Sequence, residues 1–285
     1  MLVIVGYLIV IGSVLGGYAL AGGHLAALMQ PLELLMIGGA ALGAFVISNP
    51  IKVIKSTIAA LPLCLKGSKF SKARYMELMA LLYEVLVKAR KEGLMSIESD
   101  VETPDKSAIF SKYANVSADH HLMEFITDYL RMMISGNLNA HEIENLMDNE
   151  LDTHHHEGSI PVHAIQNVAD GLPAFGIVAA VMGVVHTMGS VGQPPSVLGM
   201  MIAHALVGTF LGILLAYGFV APLSKLLEQK LEEGAKELQC VKVTLLASMQ
   251  GYAPPIAIEF GRKVLYSTER PTFAELEGHV KQKKA

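Results

Sequence analysis

The stretch from Gly171 to Ser224 reads GLPAFGIVAAVMGVVHTMGSVGQPPSVLGMMIAHALVGTFLGILLAYGFVAPLS and contains no Asp, Glu, Lys or Arg. The hydrocarbon core of a bilayer is about 30 Å thick, and a helix needs about 20 apolar residues to cross it. The stretch is therefore about two spans long. Gly192-Gln193-Pro194-Pro195 divides it into Leu172–Val191 and Ser196–Ala221, so it reads as a helical hairpin in a membrane.

A second block of the same kind opens the chain. No Lys or Arg occurs before Lys52, and Glu33 is the only acid there. Gly22-Gly23-His24 and Gln30-Pro31 separate Met1–Leu20 from Leu32–Ser48, which gives a second hairpin. Ala19-Leu20-Ala21 resembles a signal-peptidase site, but a basic n-region is missing and Gly12, Gly16 and Gly17 interrupt the apolar run. An uncleaved first span is expected. Every Lys and Arg lies between Lys52 and Arg131 or from Lys225 onward. Basic loops stay on the cytoplasmic side, so both segments and both termini are expected there.

The expected fold is an all-α membrane protein. Four transmembrane helices form two hairpins, with a helical cytoplasmic domain between the second and third spans. The segments are 1–50 (spans 1 and 2), 51–170 (cytoplasmic), 171–221 (spans 3 and 4) and 222–285 (cytoplasmic tail). Of 285 residues, 52% are hydrophobic and 17% charged, with a net charge of −4 and two Cys. This composition excludes a disordered chain, a nucleic-acid binder and a disulfide-built secreted domain.

The charged segments read as helices. Ser71–Glu92 has apolar residues at helical spacing, basic residues in its last turn and Gly93 as a stop. Ala118–Ser135 repeats the pattern. Asn139 and Glu142 form a capping box for an acidic helix through Asp152. An amphipathic helix is expected from Pro222 to about Met249, broken by Pro254-Pro255. Ile256–Tyr266 follows as another helix, and Thr272 with Glu275 caps a last short one.

Few residues offer chemistry. His154-His155-His156 is the obvious metal candidate, but adjacent helical residues point apart, so a solvated helix end is the expected reading. Cys64 and Cys240 lie in a reducing compartment, where no disulfide is expected. No Walker loop, G-x-S-x-G or H-E-x-x-H occurs, and an enzyme is not expected. In 171–224 the polar groups at depth are His186, Thr187, His204, Thr209 and Tyr217. A proton path needs a titratable group in the membrane, and this stretch holds no carboxylate. Either no protons are carried or a partner subunit brings the acid. His186 and His204 read as structural. The Thr209 hydroxyl either bonds back to the carbonyl four residues earlier or holds water or an ion beside a partner's carboxylate. Pro173 and Pro222 are either helix boundaries or hinges. Gly12-x-x-x-Gly16, Gly39-x-x-x-Gly43 and Gly208-x-x-x-Gly212 suit close helix packing, with a ring of subunits the favoured use.

Longer motifs carry a resemblance. Leu172–His186 (LPAFGIVAAVMGVVH) and Ile202–Ile213 (IAHALVGTFLGI) resemble the third and fourth spans of the MotA stator-subunit family. Gln239–Leu246, Gly251–Ala257 and Glu269-Arg270-Pro271 resemble its tail. The likeness runs from Met1 to near Val280.

It implies a flagellar motor stator subunit of the bacterial inner membrane. In that family a pentameric ring surrounds a MotB dimer, whose membrane Asp accepts the proton, and movement acts on the rotor protein FliG. It further implies that Arg90 and Glu98 engage the rotor, that Pro173 and Pro222 couple ion flow to conformation, and that Thr209 lines the ion path. Ala180 sits where sodium-driven relatives tend to carry Thr, which favours a transported proton; no cofactor is expected. The alternative is an ExbB- or TolQ-like energiser of an outer-membrane system, whose members have three spans. A secondary transporter would need a polar substrate pocket between repeats, and the sequence offers none.

Overall fold

The computed structural model describes residues 2–282, and every regular element among the described residues is helical. Four helices are long and apolar enough to cross a membrane: Leu2–Leu20, Leu25–Ser48, Ala140–Met188 and Pro195–Met249. The expected first two spans appear as α1 (Leu2–Leu20) and α3 (Pro31–Ser48), with the short α2 (Leu25–Leu28) in the turn between them. α4 (Ile51–Leu65) was not anticipated. It buries Val53, Thr57, Ala60 and Cys64, a 4-3-4 spacing that marks one helical face. Lys52 and Lys55 sit in its first turns, and reading them as the end of the apolar block concealed that face.

α5 (Lys72–Glu92) starts where the Ser71 hydroxyl accepts from the Arg74 N–H, 3.3 Å away, and stops at Gly93, whose φ of +90° suits glycine. A 3₁₀ turn, Leu94–Ile97, leads into α6 (Glu98–Glu102). α7 (Ala114–Ser117) and α8 (His120–Ser135) follow.

α9 (Ala140–Met188) corrects an expectation. Its capping box forms as read: Asn139 Oδ1 accepts from the N–H groups of His141 and Glu142, both at 3.0 Å, and Glu142 accepts from the Asn139 N–H at 2.8 Å. The helix does not stop at Asp152. It runs as 49 residues through Pro161 and Pro173, so the acidic helix and the third span are one element. A proline removes one helix bond, and tertiary packing supports the turns around it. Here Val162, Ala164, Ile165, Ala169 and Leu172 are all buried.

The fourth span behaves similarly. α10 (Pro195–Ile213) passes through a π-helical stretch, Leu214–Val220, directly into α11 (Ala221–Met249). Neither Pro173 nor Pro222 is a helix boundary. Nor does Pro254-Pro255 break α11. That helix has already ended before Gly251, at φ +90°, and Pro254 begins α12 (Pro254–Val264), as its fixed φ and missing N–H suit a first helical position. α13 (Phe273–Gln282) is capped as read, with the Thr272 N–H donating to Glu275 at 2.7 Å.

The chain divides into two compact units. One comprises Met1–Gly67 with Gly158–Gln229 and holds the apolar helices; the other comprises Ser68–Glu157 with Lys230–Ala285. The core of the second packs Leu78, Met79, Leu82 and Leu86 of α5 and Phe125, Ile126 and Leu130 of α8 with Val241 and Leu245 of α11 and Ile258 of α12. Arg74 is buried there and donates to Glu237 at 2.6 Å, to Asp119 at 2.8 Å and to the Asn115 carbonyl at 2.7 Å, so its charge is fully paired. α12 lies close against α11: a Cβ at Gly261 would fall 2.2 Å from Thr244 Oγ1 and 2.9 Å from the Cys240 carbonyl oxygen.

Gly261→Ala is therefore expected to destabilise this unit by about 1–3 kcal/mol through overpacking. The lowered midpoint of thermal unfolding in detergent measures it. Gly278→Ala on α13, where an added Cβ meets nothing within 4 Å, should leave the midpoint unchanged or raise it.

Candidate ion path and cytoplasmic charged site

In the first unit, α9 and α10 meet through residues that have almost no side chain. A Cβ at Gly176 would lie 2.8 Å from the Gly208 carbonyl oxygen and 3.1 Å from the Gly212 Cα. One at Gly183 would lie 2.7 Å from the Ala205 Cβ, and one at Gly212 would lie 2.7 Å from the Leu172 carbonyl oxygen. Of the three small-residue motifs, Gly208-x-x-x-Gly212 packs within the chain. A Cβ at Gly12, Gly16, Gly39 or Gly43 meets nothing within 4 Å.

The candidate path residues lie along this contact. Ala180 is buried on α9, beside Gly208. Thr209 is half-buried on α10, and its hydroxyl makes no hydrogen bond among the described residues, so the back-bonding reading fails. Thr187 makes such a bond, to the Gly183 carbonyl at 2.9 Å.

The structure adds a residue to this place. Glu33 of α3 is 7% exposed, and a Cβ at Gly208 would fall 2.7 Å from its Oε2. No carboxylate occurs in 171–224, as read, but folding brings that of Glu33 from α3 against Gly208. In sequence Glu33 looks like an ordinary acid in a helix's first turn, and only the packing of α3 on α10 gives it another meaning.

The π stretch ends just before Pro222. A proline ring clashes with the carbonyl four residues back, here that of Gly218, and the wider π turns lie across that position. α1 supports the stretch: the Tyr7 hydroxyl donates to the Phe219 carbonyl at 3.0 Å.

In the second unit, Arg90 is exposed at the end of α5. Its Nη1 donates to the carbonyls of Gly251 and Tyr252, at 3.2 and 3.0 Å, so it clamps the turn after α11. Glu98 begins α6, is exposed, and makes no hydrogen bond or ion pair among the described residues. A buried brace joins the two neighbourhoods. Asp100 accepts from Lys88 at 2.7 Å and from the Ser107 hydroxyl at 2.6 Å, and Ile97 is fully buried beneath. Burial alone would raise the Asp100 pKa, but the bonds from Lys88 and Ser107 outweigh it and the pKa is lowered.

His154-His155-His156 sits in the middle of α9 rather than at a helix end. The His154 ring stacks on His121 with centroids 4.5 Å apart. Burial, then the neighbouring His121, lowers its pKa. No group of three or more potential ligands is placed for a metal among the described residues. Cys64 and Cys240 are buried and unbridged.

Two family models match this chain. Residues 4–93 match "Motility protein A N-terminal", and residues 117–240 match "MotA/TolQ/ExbB proton channel family". The Motility protein A of Salmonella typhimurium is 57% identical over 99% of this chain and 95% of its own length. The chain belongs to the motility protein A family. Two solved structures share the fold: that of C. jejuni MotAB, at TM-score 0.77 and 21% identity over 93% of this chain and 95% of the other, and that of the flagellar MotAB stator complex from Bacillus subtilis, at TM-score 0.75 and 24% identity over 96% and 98%. Family membership makes this chain an inner-membrane flagellar stator subunit of the proton-channel type. The match over residues 4–93 separates the motility protein A family from the outer-membrane energisers.

Asp100→Asn is expected to cost about 1–3 kcal/mol by removing the charge that pairs Lys88 and leaving one of Lys88 and Ser107 without its acceptor oxygen. Because the folded-state pKa of Asp100 is lowered, its stabilisation is present above the usual aspartate pKa and is lost as pH falls through the lowered value. The gap in thermal midpoint between wild type and variant should therefore be full at neutral pH and shrink below about pH 4.

Proposed function

We propose that this chain forms a pentameric ring around a MotB dimer, conducts protons with it, and turns their passage into torque on FliG. The observation that carries this reading is the likeness to motility protein A along nearly the whole chain, including the N-terminal helices. α1 with α3, and the apolar parts of α9 with α10, are the two membrane hairpins. Both termini are cytoplasmic, as are residues 51–170 and 222–285. The open glycine faces of α1 and α3 support packing against neighbouring subunits.

Thr209 and Ala180 line the ion path, and the Ala at 180 favours protons over sodium. No cofactor takes part. Pro173 and Pro222 transmit the movement: each removes a helix bond inside a continuous rod, and the π turns at Leu214–Val220 are a stretch that can change its winding. A proton moving down the membrane potential releases roughly 2.3 kcal/mol per 100 mV, enough to shift a two-state equilibrium more than tenfold. Arg90 and Glu98 face the rotor with opposite charges. Arg90 also holds the Gly251-Tyr252 turn, so its contact with the rotor and the shape of its surroundings are linked.

Deleting the gene is expected to leave cells flagellated but non-motile, and normal swimming would overturn the reading. Speed should follow the proton gradient and be unaffected by replacing sodium in the medium. Arg90→Asp should reduce torque while membrane assembly persists, and reversing an acidic rotor residue should restore part of it. Failure of every such reversal would assign Arg90 to holding the turn alone.

A further inference from the structure

The geometry points to Glu33 as a proton-exchanging carboxyl in the ion path, supplied by this chain in addition to any acid of a partner. This rests on the proton-channel reading above. Glu33 is more than nine-tenths buried, its Oε2 is fully enclosed, and it makes no hydrogen bond or ion pair among the described residues. It lies against Gly208, Ala179 and Ala180, where an added Cβ at Gly208 would meet Oε2 at 2.7 Å, the Ala179 Cβ at 3.1 Å and the Ala180 nitrogen at 3.2 Å. Gly208 lies about 20 Å along α10 from Pro195, at 1.5 Å per residue, and Glu33 meets it from the first turn of α3.

No cation of the apolar helices offsets its charge: α1 and α3 carry no Lys or Arg, and 171–224 carries no charged residue. His204, on α10, is one turn from Gly208, and His186, on α9, is farther along the helix from Ala180. An unpaired carboxylate enclosed among apolar groups is strongly disfavoured, so such a group takes up a proton or exchanges one. The step is simple. The carboxylate takes a proton from a hydronium ion on one side, whose O–H bond breaks to leave water as the carboxyl O–H forms, and that O–H breaks in turn as the proton passes to a water or a partner's carboxylate on the other. The absence of a side chain at Gly208 is what admits the carboxyl.

The test uses the full chain co-expressed with its partner subunit and reads proton flux into cells or vesicles under an imposed gradient, with complex assembly checked in parallel. Glu33→Gln keeps size and polarity but cannot carry a proton, and flux should fall about tenfold or more. Glu33→Asp should retain a measurable part, and Gly208→Ala, which displaces the carboxyl without removing it, should also lower flux. An assembled Glu33→Gln complex with wild-type flux overturns the proposal. Absence of flux in the wild-type complex would instead overturn the proton-channel reading. Should Glu33→Gln fail to assemble, a hydrophobic carbodiimide applied to the wild-type complex decides. Labelling of Glu33 that rises as pH falls supports proton exchange, and absence of labelling at every pH overturns it.

Discussion

Two helix backbones come into contact only where side chains are nearly absent, and the rest of the membrane unit depends on that constraint at the meeting of α9 and α10. Gly176, Gly183, Gly208 and Gly212 remove the bulk, and the carbonyl oxygens of Leu172 and Gly208 approach within distances that no Cβ would tolerate. In lipid there is little hydrophobic gain from pairing helices, so close van der Waals packing of this kind holds them together. The same lack of side chains leaves room at Gly208 for a carboxyl from a third helix.

That contact sits at one end of two long rods. α9 and α10–α11 each carry an apolar part into a charged part without a chain break. The π stretch before Pro222 runs directly into α11 with no loop between them. The charged groups proposed to meet the rotor sit on a braced surface: Lys88, Asp100 and Ser107 tie α5 to α6, and Arg90 ties α5 to the turn after α11.

Much of the fold was legible because a bilayer imposes a simple rule: charge is excluded for about 20 residues at a time. The blocks before Lys52 and from Gly171 to Ser224 announce themselves in this way, and the capping pairs Asn139–Glu142 and Thr272–Glu275 form where local chemistry requires them. The failures have equally definite causes. Pro173 and Pro222 were read as possible ends because isolated helices stop at proline, whereas these helices run through both. α4 was missed because its lysines mask a 4-3-4 apolar face.

The sequence by itself determined where membrane could be, which segments carry charge, and which family the motifs resemble, since these depend on composition and short-range order. Only the tertiary structure decided what Glu33 is. Along the chain it is a lone acid beside Pro31, far from the uncharged stretch it packs against. Packing of α3 on α10 places it against Gly208, because burial and proximity across more than a hundred residues are properties of helix packing that local spacing does not encode.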